Sequence, residues 1–323
     1  MPNIELTTFK HASSFRRIAA VAWDEPRDPS IYGFLEIRCE RLQEWIDLKR
    51  RETGQKITVT HAVARALAIV LSKHRDVNAI VRWGQLQLRK DVDVFLQVAI
   101  PVDGSVGKAD LSGACIRQAD KKDVGQIAEE LRAASLKIRN NEDKDFERTK
   151  SQAQMIPGFI FRWVLRFLRF LQFDLNIDTS FLGAPRDPFG SAMVTSLGMM
   201  GVRMAWAPFF PMSRAPIIVL VGAVEDQPVA EDGAVVVRKI LPLSGTFDHR
   251  IIDGFHAATI SKEIKLLLEN PSMMEFEDER DHMLGVVDES TDMPTLGADL
   301  ETATAEIAPV ELESEEIVQE PPA

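Results

Sequence analysis

A chain of 323 residues, 45% of them hydrophobic, can bury a sizeable core in one large domain or two ordinary ones, which excludes a wholly disordered protein. The formal net charge of −11 is uneven, because sixteen acidic residues stand against Arg280 alone between Glu275 and Ala323, leaving a body near +4. The overall acidity therefore does not argue against an anionic small ligand, and no nucleic-acid partner is expected.

In chain order, Phe9 to Trp23 carries Phe15, Ile18, Ala19, Val21 and Ala22 around Arg16 and Arg17 and predicts a short helix ended by the cluster Glu25 to Pro29. Ile31 to Cys39 predicts a strand and Leu42 to Arg51 a polar helix. An amphipathic helix follows, capped by Thr58 or Thr60, with Ala62, Val63, Ala66, Leu67, Val70 and Leu71 on its buried side; His61 and His74 read as ordinary terminal or core histidines. Three apolar runs between Ala79 and Val102 predict strands, with turns at Gly84 and at Asp103-Gly104. Ala119 to Asn140 predicts a helix with Val124, Ile127, Ala128, Leu131, Leu136 and Ile138 on its apolar stripe.

Gln154 to Phe173 is unlike the rest. Large apolar residues including Phe159, Phe161, Trp163 and Phe167 are interrupted by Arg162, Arg166 and Arg169, which share one helical face. Such a helix is too short and too charged to span a bilayer. Two readings stay open: it lies in a lipid interface, or it packs against its own domain or another subunit. Ser191 to Gly201 then predicts a strand running into a glycine-punctuated turn, where Thr195 and Ser196 are either oxyanion donors or ordinary turn residues. Pro216 to Val224 predicts a buried strand, Asp232-Gly233 a hairpin turn, and Ala257 to Leu268 a helix closing at Asn270-Pro271. The prolines and acids beyond it predict a disordered tail.

Most chemistry is concentrated between Leu243 and Ala257. A strand end runs into Asp248, His249, Arg250 and Asp253, Gly254 breaks the run, and a helix resumes. A histidine between two carboxylates and an arginine can be held in one tautomer as a general base; alternatively Asp248, Arg250 and Asp253 form only an ion-pair network capping the helix. Cys39 and Cys115 lie far apart, with no metal-ligand or redox spacing, and read as reduced thiols of a cytosolic protein. No signal peptide is evident at the start, so export is not expected. The mixed order of helices, strands and hairpins predicts an α+β fold around a mixed sheet.

Phe247-Asp248-His249-Arg250-Ile251-Ile252-Asp253-Gly254 resembles the DHRxxDG signature of the acyltransferase catalytic cores of 2-oxo acid dehydrogenase complexes, related in fold to chloramphenicol acetyltransferase. Further stretches agree in order: Arg16-Arg17-Ile18-Ala19, Lys56 to Thr60 with Val77-Asn78-Ala79, Val98 to Pro101, and Val194-Thr195-Ser196-Leu197-Gly198 against the family's TISNLG segment. The resemblance covers roughly Thr7 to Pro271. It implies a catalytic domain over residues 1–274, interrupted by an insertion at about 154–188 and followed by the tail 275–323.

By matched position, the resemblance implies that His249 is the base taking a proton from the thiol of CoA or dihydrolipoamide, and that Thr195 donates a hydrogen bond to the oxyanion. Asp253 would hold the site by pairing with Arg16 or Arg17, Gly254 would permit the tight turn, and Asp248, Arg250 and Ser196 would support. It further implies a homotrimer with the histidine and the hydroxyl on neighbouring subunits, and CoA as substrate, with no metal. No lipoyl domain is evident before the core, so the acyl carrier is expected to be a separate molecule or a small acceptor. Thr stands where the family has Ser, which keeps the hydroxyl but restricts its rotamer.

Two functions remain. The first is a CoA-dependent acyltransferase, cytoplasmic or peripheral to the inner face of a membrane through Phe159, Arg162, Trp163, Arg166 and Arg169. The second is a non-catalytic scaffold or membrane-recruiting relative of the core. Retention of His249 together with a hydroxyl at position 195 favours the first, since a scaffold needs neither.

Overall fold

The computed structural model describes residues 29–101, 109–139, 158–180, 186–210 and 213–275. The predicted opening helix with Arg16 and Arg17, the Asp103-Gly104 turn and the acidic tail lie outside the described residues. The chain divides into two compact units, Met1–Arg280 and Asp281–Ala323, and everything described belongs to the first.

Its centre is a seven-stranded mixed sheet. The strands are β1 (Ser30–Arg38), β4 (Val94–Pro101), β5 (Ala109–Ile116), β6 (Ala192–Ser196), β7 (Ile217–Val221), β8 (Glu225–Glu231) and β9 (Ala234–Asp248). Their order is β1-β9-β7-β6-β4-β5, with β8 alongside β9. β6 runs parallel to both β4 and β7, and the other pairs are antiparallel. β7 reads IIVLV and all five residues are buried, the pattern of a strand covered on both faces. The predicted hairpin at Gly84 joins β2 (Ala79–Arg82) to β3 (Gln85–Leu88), with Trp83 and Gly84 both at positive φ, as a primed turn requires. Asp232 and Gly233 do the same between β8 and β9.

Helices α1 (Glu40–Thr53), α2 (Val59–Lys73), α3 (Val124–Arg139) and α5 (Gly254–Glu269) build the main core with one face of the sheet; α4 (Gly158–Arg169) stands apart from that core. The opposite face carries a smaller cluster of Met193, Ala215 and Ile218 with Phe95, Phe189, Ala207 and Phe209. The strap 202–210 covers part of that face: Thr246 Oγ1 donates to the Ala207 carbonyl at 2.9 Å and Trp206 Nε1 to that of Gly33 at 3.1 Å. Gly222 permits its passage, since a Cβ there would fall 2.1 Å from the Arg203 carbonyl oxygen.

Three expectations needed correction. α2 is not amphipathic in place, because every residue from His61 to Leu71 is buried between the sheet and α1, α3 and α5. Its alanines keep it thin enough to be surrounded, and the Arg65 Nη groups donate to the carbonyls of Ala119, Asp120 and Met274. The helix expected from Ala119 begins as a 3-10 turn, Ala119–Lys121. α3 starts only at Val124, where Asp123 and Gln126 exchange side-chain to backbone hydrogen bonds as a capping box. Finally, β5 escaped prediction because ADLSGACI is short of the large β-branched residues that mark strands.

Candidate active site

β9 ends at Asp248, opposite Ser30 of β1, and the chain turns at once. The Asp248 carbonyl accepts the N–H groups of Ile251 and Ile252, both at 2.9 Å, which closes the turn. Its carboxylate accepts the Arg250 backbone N–H at 3.0 Å and grips the Arg250 guanidinium through Nε at 2.9 Å and Nη2 at 2.5 Å. That fork holds the Arg250 guanidinium above its ordinary pKa. His249 is pinned by its backbone, whose N–H donates to the Pro29 carbonyl at 2.8 Å, while its side chain is exposed.

The second carboxylate is also engaged elsewhere. Asp253 is the N-cap of α5, its Oδ1 accepting the His256 N–H at 2.9 Å, and this bond lowers the Asp253 pKa, aided by the His256 ring. His256 Nδ1 lies 2.8 Å from Asp253 Oδ1 and its Nε2 lies 3.1 Å from Asp76 Oδ2. The expectation that flanking carboxylates hold His249 is therefore corrected. Asp248 is taken by Arg250 and Asp253 by His256, and among the described residues the His249 imidazole has no hydrogen-bond partner. Whether Asp253 also reaches Arg16 or Arg17 lies outside the described residues. Gly254 does not make the turn through unusual backbone freedom: it is the first residue of α5, not at positive φ, and a Cβ there would meet open space. His256 was missed by sequence reasoning, although an Asp followed three residues later by a side chain able to reach back is a capping signal.

Thr195 sits near the C-terminal end of β6, half-buried, on the same face as Met193. Ser196 Oγ accepts the Gly198 N–H at 3.4 Å, a turn role. The register fixes the relation of Thr195 to His249. Thr195 pairs with Leu220 on β7, which pairs with Ser244 on β9, five residues before His249. At about 3.3 Å per residue and 4.8 Å per strand, Thr195 and His249 of one chain lie roughly 19 Å apart, Thr195 near the C-terminal end of β6 and His249 beyond the level of its N-terminal end. One subunit does not bring the two groups together.

Neither thiol offers an alternative nucleophile. Burial pushes Cys39 up to about 11 and Cys115 up to about 12, so both stay protonated at neutral pH. Among the described residues no three His, Cys, Asp or Glu side chains gather as a metal site. A groove of about 420 Å³ between α1 and the turn after α5, lined by Arg41, Trp45, Leu48 and Pro271, includes none of the site residues.

The family model for the 2-oxoacid dehydrogenases acyltransferase (catalytic domain) matches residues 13–152 and 189–276. The chain is 24% identical over 266 residues to the lipoamide acyltransferase component of the branched-chain alpha-keto acid dehydrogenase complex of Pseudomonas putida, covering 80% of this chain and 51% of that one. It is 22% identical over 264 residues to the dihydrolipoyllysine-residue acetyltransferase component of the pyruvate dehydrogenase complex of Zymomonas mobilis, covering 80% and 49%. The chain thus spans about half the length of these curated relatives. Among solved structures, the cubic core of the pyruvate dehydrogenase multienzyme complex shares the fold at TM-score 0.56 and 24% identity, over 77% of this chain and 85% of that one. The dihydrolipoamide acetyltransferase of Azotobacter vinelandii, studied for the role of a serine, a histidine and an asparagine in its catalytic mechanism, does so at TM-score 0.55 and 23% identity, over 77% and 85%. By its family match, this chain belongs to the 2-oxoacid dehydrogenase acyltransferase catalytic-domain family.

Proposed function

We propose that the protein is a CoA-dependent acyltransferase that moves an acyl group between CoA and a thiol or other small acceptor, in a homotrimer whose sites each join His249 of one subunit to Thr195 of the next. The observation that carries this reading is the register: the two groups suited to thioester exchange stand level with opposite ends of β6, too far apart in one chain to act together, so the reading calls on a second copy for the missing group. The imidazole, exposed and unpartnered among the described residues, is available to a substrate proton.

In the proposed reaction His249 takes the proton from the attacking thiol, and the thiolate adds to the thioester carbonyl. The Thr195 hydroxyl donates to the resulting oxyanion. Collapse expels the second thiolate, which recovers the proton from the imidazolium. Asp253, capping α5, fixes the path of the chain after the base. In this reading Thr195, His249 and Asp253 take the parts of the serine, histidine and asparagine studied in the Azotobacter protein. Peripheral contact with the inner face of a membrane, through Phe159, Arg162, Trp163, Arg166 and Arg169, belongs to the same reading. The side chains of Phe159 and Arg162 lie outside the described residues.

Mixing subunits tests the proposal. His249→Ala and Thr195→Ala should each be nearly inactive in acyl-CoA to dihydrolipoamide transfer, with the threonine variant down by about 10² to 10³. Co-assembled in equal amounts they should recover about a quarter of wild-type activity, because in a cyclic trimer one site in four then draws both groups intact. No recovery from trimers shown to be mixed would sink the shared site. A His249→Ala variant as active as wild type would sink the acyltransferase reading.

A further inference from the structure

α4 and the tip of the β2–β3 hairpin present one exposed apolar surface. Along α4, Ile160, Trp163, Val164 and Phe167 follow the i, i+3, i+4, i+7 spacing of a single stripe, and Trp163 and Phe167 are 66% and 59% exposed. Phe170, in the π-helical turn Phe170–Asp174, continues it. Trp83, 64% exposed at the hairpin tip, meets Phe170 edge-on with ring centroids 6.3 Å apart. Two indoles from segments 80 residues apart in sequence thus flank one patch.

The patch is fixed to the body by a junction. Arg82 Nε and Trp83 Nε1 both donate to the Asp174 carbonyl, at 2.8 and 2.9 Å. Arg214 donates to the Val81 carbonyl at 3.0 Å, pairs with Asp174 at 3.4 Å and lies 5.8 Å from the centre of the Phe173 ring. Helix and hairpin are therefore set together.

The charges identify what covers the surface. α4 contains no acidic residue; Arg166 lies over the Trp163 ring at 5.5 Å, and Arg169 stands near enough to Arg214 to repel it. The arginines occupy the side of α4 away from the apolar stripe, the amphipathic division of a helix whose apolar side enters a lipid surface while its cations stay among anionic headgroups. At about 1.5 Å per residue the 12-residue helix spans only about 18 Å, short of a bilayer core. Among the described residues no helix is long and apolar enough to cross a membrane.

We propose that this composite surface docks on an anionic lipid bilayer, with α4 lying in the headgroup plane, Trp163, Phe167 and Trp83 entering the acyl boundary, and Arg166 and Arg169 at the level of the phosphates. Tryptophan suits that depth because its ring is apolar and its N–H polar, and arginines beside an apolar stripe attract anionic headgroups. The inference rests on the membrane contact of the reading above and deepens it. The hairpin becomes part of the contact, so docking fixes the orientation of the catalytic body instead of tethering it.

Flotation of the full chain with phosphatidylcholine vesicles, with and without phosphatidylglycerol, tests this. Wild type should float only with the anionic vesicles. Trp163→Glu with Phe167→Glu should lower the bound fraction at least tenfold, because two aromatic anchors in the acyl boundary are replaced by carboxylates. Trp83→Glu alone should lower it severalfold. The thermal midpoint of the α4 variant and the acyl transfer of both variants in solution should stay unchanged, since these residues lie outside the proposed catalytic machinery. Loss in the α4 variant with none in Trp83→Glu would overturn the composite surface and leave the helix contact standing. No flotation of wild type would overturn both without touching the acyltransferase reading. Trp163→Glu altering sedimentation, with vesicles binding neither protein, would assign the surface to contact between copies and overturn the proposal.

Discussion

Helices α2 and α4 are both rich in apolar residues, yet one is surrounded by the protein and the other presents its apolar face outward. α2 carries Ala62, Ala64, Ala66 and Ala68 among its branched residues and is buried on every side from His61 to Leu71. α4 carries Trp163 and Phe167, both exposed. Burial follows from volume and neighbours more than from hydrophobicity. Small residues let the sheet and three helices close around α2 at interior packing density, whereas bulky aromatics around three arginines have no such place in a filled core. The arginines diverge in the same way: Arg65 of α2 is buried on three backbone carbonyls, while Arg166 of α4 stacks on an exposed indole.

The sharpest test of this contrast is truncation within α2. Leu67 is fully buried, so Leu67→Ala should cost about 2 to 5 kcal/mol in urea unfolding. A cost below about 1 kcal/mol would break the picture of a tightly enclosed helix.

Next in size is a pH dependence located at the start of the same helix. Burial lowers His61 from 6.5 to about 4, while its Nδ1 accepts the Thr58 N–H at 3.0 Å. A folded-state pKa below the unfolded one means that the unfolded chain binds the extra proton, so this stability is complete above about pH 6.5 and is lost as pH falls toward 4. The loss should approach about 3 kcal/mol at the lower end, by linkage. Urea midpoints of wild type and His61→Gln should converge as the pH is lowered across this window; parallel curves would refute the assignment.

Arg65→Met should cost about 1 to 3 kcal/mol, because the carbonyls of Ala119, Asp120 and Met274 lose their donor inside the core. Smallest is Phe167→Ala on α4, expected within about 0.5 kcal/mol of wild type by calorimetry. A larger loss would mean that α4 is packed as α2 is.

Much of the fold was legible because local rules and tertiary structure agree. Gly84 and Asp232-Gly233 place the hairpins, although Trp83 joins the first turn instead of the strand; IIVLV marks the central strand, and of the two candidate threonines Thr58 opens α2. β5 was not legible, since its small residues carry no strand signature and its place comes from pairing with β4. Around His249 the residue types were legible but their partners were not. Asp248 and Asp253 looked like supports for the imidazole, yet the nearer Arg250 fork and the α5 N-terminus claim them.

The sequence by itself determined that an α+β chain runs from a strand end into the cluster Asp248 to Asp253 and resumes as a helix after Gly254, because each step rests on contacts within a few residues; that the helix already begins at Gly254 with Asp253 as its N-cap came from the structure. Only the tertiary structure decided that Thr195 and His249 of one chain stand apart, level with opposite ends of β6. That separation is a property of strand order and register, which depend on pairings between residues far apart in the chain and leave no mark in either local motif.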